Sequence, residues 1–192
     1  MTFLIAGLVL FLGLHSIRIF ADDWRTAQVA RMGERKWKGM FAILSLIGFV
    51  LIVYGFGQAR MTPVFVWTPP VWTKHIAALL LLPAFILIVA GNMRGTKMKA
   101  RLGHPMVVGT KVWAFAHLIA NGRLAGMVLF GSFLVWAVVE YITARRRDRA
   151  AGVVYPAGSA SRDAIAVVIG VVAWAAFGFW LHGVLIGVRP FG

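Results

Sequence analysis

Cysteine is absent from all 192 residues. That excludes disulfides, thiolate metal cages and covalent c-type haem attachment. Acidic residues are scarce: six Asp and Glu stand against 20 Lys and Arg, for a formal net charge of +14. Carboxylates so few and so dispersed form no acid–base pair, and neither a nucleophile triad nor a phosphate-binding loop is spelled anywhere. A cleavable leader is also missing from the pattern. The first apolar block begins at Thr2 with no basic stretch ahead of it, and Arg18, Asp22 and Asp23 follow it. It reads as a retained helix. No internal repeat marks inverted transporter halves.

What is present is apolar. Hydrophobic residues make up 60% of the chain and mean hydropathy is +0.83, against about 45–50% apolar usage in soluble domains. They gather in six blocks: Thr2–Phe20, Gly39–Gly57, Trp72–Gly91, His104–Ala120, Gly122–Tyr141 and Ala164–Ile186. Most approach the roughly 20 residues that cross about 30 Å of hydrocarbon. The expected fold is therefore all-α, a polytopic transmembrane helical bundle of about six spans, forming one domain over residues 1–192. Blocks four and five meet at Asn121–Gly122, a turn pair. A hairpin is expected there, because one continuous helix of about 38 residues would reach about 57 Å. Small residues four apart, at Gly122–Gly126, Ala166–Gly170, Gly178–His182 and Gly183–Gly187, would let helices approach closely.

Charge orients the spans. The first connection holds Arg18, Arg25, Arg31, Arg35, Lys36 and Lys38. The third holds Arg94, Lys97, Lys99 and Arg101, and the fifth holds Arg145, Arg146, Arg147, Arg149 and Arg162. The second has Arg60 with Lys74 at its far edge, the fourth Arg123, and the tail Arg189. Basic residues mark cytoplasmic loops, so connections one, three and five are expected inside and both termini outside, in the periplasm. The partners implied are membrane lipids. Nucleic acid is not expected, because the basic residues sit between apolar blocks and lack an aromatic-interleaved folded face.

All five histidines, His15, His75, His104, His117 and His182, fall in or at the ends of these blocks. Intramembrane histidines face a bundle interior or a cavity, and each one also has an interfacial or hydrogen-bonding reading. By depth, His15 and His104 lie on the basic side, and His75, His117 and His182 on the other. A b-type haem wants axial nitrogens from facing helices and an apolar slot. Trp113 and Phe115 surround His117, and Trp174, Phe177, Phe179 and Trp180 precede His182. Depth favours His75 or His182 as the partner of His117. Lys111 lies two turns after His104 and near mid-membrane, where an inward orientation or an anionic partner is needed. Asn121 either bonds to the His117 imidazole or forms the turn.

Several segments together resemble the NnrU family of bacterial integral membrane proteins. They are "GLHSIRI" (Gly13–Ile19), "KGMFAILSLIG" (Lys38–Gly48), "WTPPVW" (Trp67–Trp72), "GHPMVVGTKVWAFAHLIANG" (Gly103–Gly122) and "LFGSFLVWA" (Leu129–Ala137). The resemblance covers roughly residues 5–190. It implies a protein of the bacterial inner membrane linked to nitrite and nitric oxide metabolism, working with a redox or reductase-system partner. The family is similar in turn to the plastid 15-cis-zeta-carotene isomerase, a haem-b membrane enzyme. That similarity draws His15, His104 and His117 into the polar set and makes His117 the first candidate for binding haem iron. The isomerase carries a cysteine three residues before that histidine, where this chain has Ala114. Three readings stay open: a haem-associated respiratory protein, an isoprenoid isomerase, and a non-catalytic transporter or assembly factor.

Overall fold

The computed structural model describes residues 1–191. The chain is all-helical: α1 (Thr2–His15), α2 (Ile17–Phe20), α3 (Asp22–Met32), α4 (Glu34–Met61), α5 (Trp72–Asn92), α6 (Lys97–Leu102), α7 (Pro105–Ala120), α8 (Leu124–Ala150) and α9 (Ala160–Ala176). A π-turn, Phe177–Leu181, continues α9 into α10 (His182–Ile186). Among the described residues, four helices are long and apolar enough to cross a membrane: α4, α5, α8 and the continuous Ala160–Ile186 run. Two further apolar helices are shorter. α1 has 14 residues and α7 has 16, or about 21 and 24 Å at 1.5 Å per residue.

Local chemistry sets several boundaries. Pro105 opens α7, where its missing N–H costs nothing. Ser159 caps α9, its hydroxyl accepting from the Arg162 backbone N–H at 3.3 Å. α8 runs through the "RRRDRA" stretch to Ala150. By sequence, that stretch belongs to the fifth connection, beyond the block that ends at Tyr141. Cations near a helix C-terminus complement its dipole, and no breaker occurs before Gly152, so the helix continues.

Burial is the reverse of a soluble core. Most of the fully buried side chains are small: Ala84, Ala114 and Ala116 are each 0% exposed, with Leu4 the large exception. Large aliphatic residues point outward, with Val9 69% and Leu79 71% exposed. Lipid tails are as apolar as leucine, so large residues lose nothing outside, while small ones let backbones close together. Glycine marks three helix crossings. A Cβ on Gly7 of α1 would come within 2.6 Å of the Ile52 nitrogen in α4. One on Gly109 of α7 would reach the Ala84 carbonyl of α5 at 2.8 Å, and one on Gly170 of α9 would reach Ile86 of α5 at 2.7 Å. Thus α1 pairs closely with α4, and α5 packs between α7 and α9. α8 lies against α7 and touches α1 and α4 more sparingly.

Connections segregate to two ends. At the basic end, Arg147 donates to the Arg18 carbonyl at 2.9 Å, tying α8 to the first connection. The Ser159 N–H donates to the Gly95 carbonyl at 2.9 Å, joining the third connection to the fifth. At the opposite end, Val66 N–H donates to Gly122 O and Leu124 N–H to Val64 O, at 2.8 and 2.9 Å. There Arg60 also bonds to the Ile186 carbonyl. Asn121–Gly122 does form the turn: Asn121 Oδ1 accepts from the Arg123 N–H at 2.9 Å. Gly122 abuts the Trp67 carbonyl so closely that a Cβ there would overlap it. Its four-residue spacing to Gly126 therefore serves the turn rather than a helix crossing.

Candidate functional site

The interior between α1, α4, α7 and α8 holds an apolar cluster of Leu4, Leu8, Ile52, Ala59, Ala125, Leu129 and Phe130. Aromatic rings continue from it as a seam. Phe11 of α1 meets Phe133 of α8 at 5.9 Å between ring centres, and Phe133 meets Trp113 of α7 at 5.6 Å. Trp113 lies 5.2 Å from Phe130 with the rings nearly perpendicular. Such spacings are those of favourable aromatic pairs.

A histidine stands at each end of the seam. His15 stacks on Phe11 at 4.2 Å and meets Phe41 and Trp136 edge-on at 5.0 and 6.1 Å. His117 stacks on Phe130 at 4.5 Å and lies 5.1 Å from Trp113. The two rings are held in the same way. His15 Nδ1 donates to the Phe11 carbonyl at 2.7 Å, and His117 Nδ1 to the Trp113 carbonyl at 2.8 Å. A carbonyl oxygen only accepts, so each neutral ring carries its proton on Nδ1 and keeps the Nε2 lone pair. Histidines that bind metals through Nε2 are oriented by such a bond on the other nitrogen. Ala114, three residues before His117, is fully buried.

The other residues singled out from the sequence lie elsewhere. His182, in α10, donates from Nδ1 to the Val188 carbonyl at 2.7 Å and meets Phe177 edge-on at 5.7 Å. His75, in the second turn of α5, is exposed. Depth reading pairs His117 with one of these two. The aromatic seam runs the other way, and Phe133 of α8, bridging α1 and α7, stands between His117 and His15. Lys111 rests its ammonium 4.1 Å above the Tyr141 ring, a cation–π contact. Tyr141 in turn donates to the Leu102 carbonyl at 3.1 Å.

His104 belongs to a separate cluster at the basic end. Its Nε2 lies 2.7 Å from Asp148 Oδ2, and Tyr155 donates its hydroxyl to that same carboxylate oxygen. The Arg145 guanidinium stands 5.5 Å from the centre of the Tyr155 ring. Burial pushes the Tyr155 hydroxyl above its ordinary range, and donation to Asp148 adds to this, while Arg145 acts in the opposite sense. Gly103 permits the arrangement: its φ is +73°, and a Cβ would meet Arg145 and Tyr155 at 2.6 and 2.7 Å. Sequence reasoning missed Asp148 and Tyr155, which lie 44 and 51 residues from His104. A lone acid inside an arginine run was the one available signal.

Long apolar helices, with mostly small residues inside and large ones outside, define a helix-bundle membrane protein. The chain belongs to the NnrU family, whose model, described as "NnrU protein", matches residues 3–190. No curated protein and no solved structure matches it.

Proposed function

We propose that this NnrU-family protein is a haem-b-associated protein of the bacterial inner membrane that supports nitrite and nitric oxide metabolism together with a redox partner. In this reading the bundle crosses six times. α1 with α2, and α7, complete the set beside the four long helices. The basic end is cytoplasmic, and the termini lie in the periplasm, as the distribution of Lys and Arg favours. His117 would supply one nitrogen to the iron, and His182, His75 or His15 would supply the second.

One observation carries the proposal. His117 stacks on Phe130 beside Trp113, and its Nδ1 bond to its own helix leaves Nε2 without a hydrogen-bond partner among the described residues. A haem iron asks for such nitrogens, and its ring for apolar walls. Bound there, haem would supply one-electron chemistry; the chain's own residues would hold it through imidazole nitrogen and exclude water. The carotenoid isomerase reading ranks second, because Ala114 supplies no thiol for a switch in iron ligation.

The test is an absorption spectrum. Full-length protein, expressed with haem supplied and purified in mild detergent, should show a Soret band. His117→Ala should abolish or shift it, and so should one of His182→Ala, His75→Ala and His15→Ala. A Soret-free preparation, or a band indifferent to His117→Ala, rejects the proposal.

A further inference from the structure

Three buried polar atoms have no hydrogen-bond partner among the described residues: Ser45 Oγ, Trp136 Nε1 and Glu140 Oε2. All three belong to the basic half of the bundle, on α4 and α8. Trp136 touches the His15 ring directly, and Glu140 follows it one turn later on the same face of α8. Ser45 stands one turn beyond Phe41, which packs against His15 from α4. Buried polar groups in folded proteins are almost always satisfied, and three left over in one neighbourhood share a cause. Their chemistry is complementary: an indole N–H gives, a carboxylate oxygen accepts and a hydroxyl does both.

We propose that these groups bind a small cluster of internal water molecules, reached from the basic end beneath Arg147. Water needs two to four polar partners to occupy a buried site, and this trio offers them. Access is built from one side chain. Arg147 holds Glu140 Oε1 at 3.2 Å with one nitrogen and the Arg18 carbonyl at 2.9 Å with another. Glu140 thus has one oxygen facing the charged end and one facing the interior. Inward, the cluster ends where Phe11 and Phe133 begin the aromatic seam. The charged groups bordering it are Arg147 on α8, Arg18 beside α1 and Lys111, which crosses from α7 onto neighbouring Tyr141. The site brings exchangeable hydrogen to the edge of the seam, and it stands whether or not haem binds there.

The test uses full-length protein labelled at the tryptophan indole nitrogens, in lipid nanodiscs, with water exchange at Nε1–H read by NMR. The Trp136 resonance is the one that Trp136→Phe removes. It should exchange with water in the wild-type protein, and exchange should slow severalfold in Ser45→Ala and in Glu140→Leu. Helix content by circular dichroism reports whether each variant is folded. The wild-type measurement decides alone if a variant is not: a Trp136 N–H that never exchanges overturns the proposal. Exchange that is unchanged in both folded variants also overturns it, because the water would then reach Trp136 from the lipid-facing groove between α1 and α8, which Trp136 also lines. A missing Soret band with intact exchange would reject haem while leaving this site in place.

Discussion

The two ends of the bundle are fastened by different means. At the basic end a backbone bridge of Thr96 with Ser159 is joined by side-chain ties: His104 to Asp148, Tyr155 to Asp148, and Arg147 to Glu140 and to the Arg18 carbonyl. At the opposite end the second and fourth connections are joined backbone to backbone, with Phe65 and Arg123 paired as in a strand bridge. The first end adds ionisable ties to its backbone bridge, and the second rests mainly on space. Where cations accumulate for orientation, carboxylates and aromatics are at hand to organise them. Where few charges remain, the main chain must satisfy itself, and a residue without a side chain is what lets it do so.

The largest effect is expected from breaking the uncharged end. Gly122→Ala puts a methyl group into the Trp67 carbonyl, so the turn or the loop must move. Overpacking of this kind costs about 1–3 kcal/mol or more, because backbone cannot swing away as a side chain can. Thermal unfolding in detergent should show a clear drop; a melting point equal to wild type would sink the account of that end. A smaller effect is expected from Asp148→Ala at the basic end, which strips His104 and Tyr155 of their shared acceptor. The group is partly solvated, so about 1 kcal/mol is expected. The change should appear as faster tryptic cleavage within the 145–162 stretch, with the opposite end unaffected. Unaltered cleavage would mean that the cluster does not hold the loop.

The smallest effect is a pH dependence confined to the basic end. Tyr155 is raised above its ordinary value of 10.0, by burial first and then by its bond to Asp148. Its contribution is therefore complete below that value and is lost as pH climbs through the raised one. Protection of the fifth connection from cleavage should fall in that alkaline window in the wild type. Tyr155→Phe should show no such step. An identical step in the variant would assign it to another group.

Much of this architecture was legible in the residues. The third block, Trp72–Gly91, differs from α5 by one residue at its end, and the fourth, His104–Ala120, by one at its start. Apolar runs with Pro and Gly at their edges carry their own boundaries. Basic residues were less legible as boundaries: α4 begins at Glu34 and α8 ends at Ala150, both deep in charged sequence, because Lys and Arg are good helix formers. The break at Ser16, which separates α1 from α2, has no composition signal; there the Ser16 hydroxyl bonds to the Leu12 carbonyl at 2.6 Å. For the site, the intramembrane histidines stood out, and Asn121 was readable as a turn former. Which rings share a seam was not readable, since Phe133 meets Phe11 across more than half the chain. The arginine that Glu140 meets lies on its own helix, seven residues further along.

The glycine contacts between α1 and α4 have a mechanical consequence. At Gly7, Gly48 and Gly55 the facing backbone or Cβ atoms stand where a Cβ would go, so the two helices share one surface with almost no compressible layer between them. Such a pair bends and shifts as a single stiff plank. Relative displacement inside the bundle is then forced onto the looser joint against α8. Phe11 meets Phe133 at that joint, so any displacement there would register first in the aromatic seam.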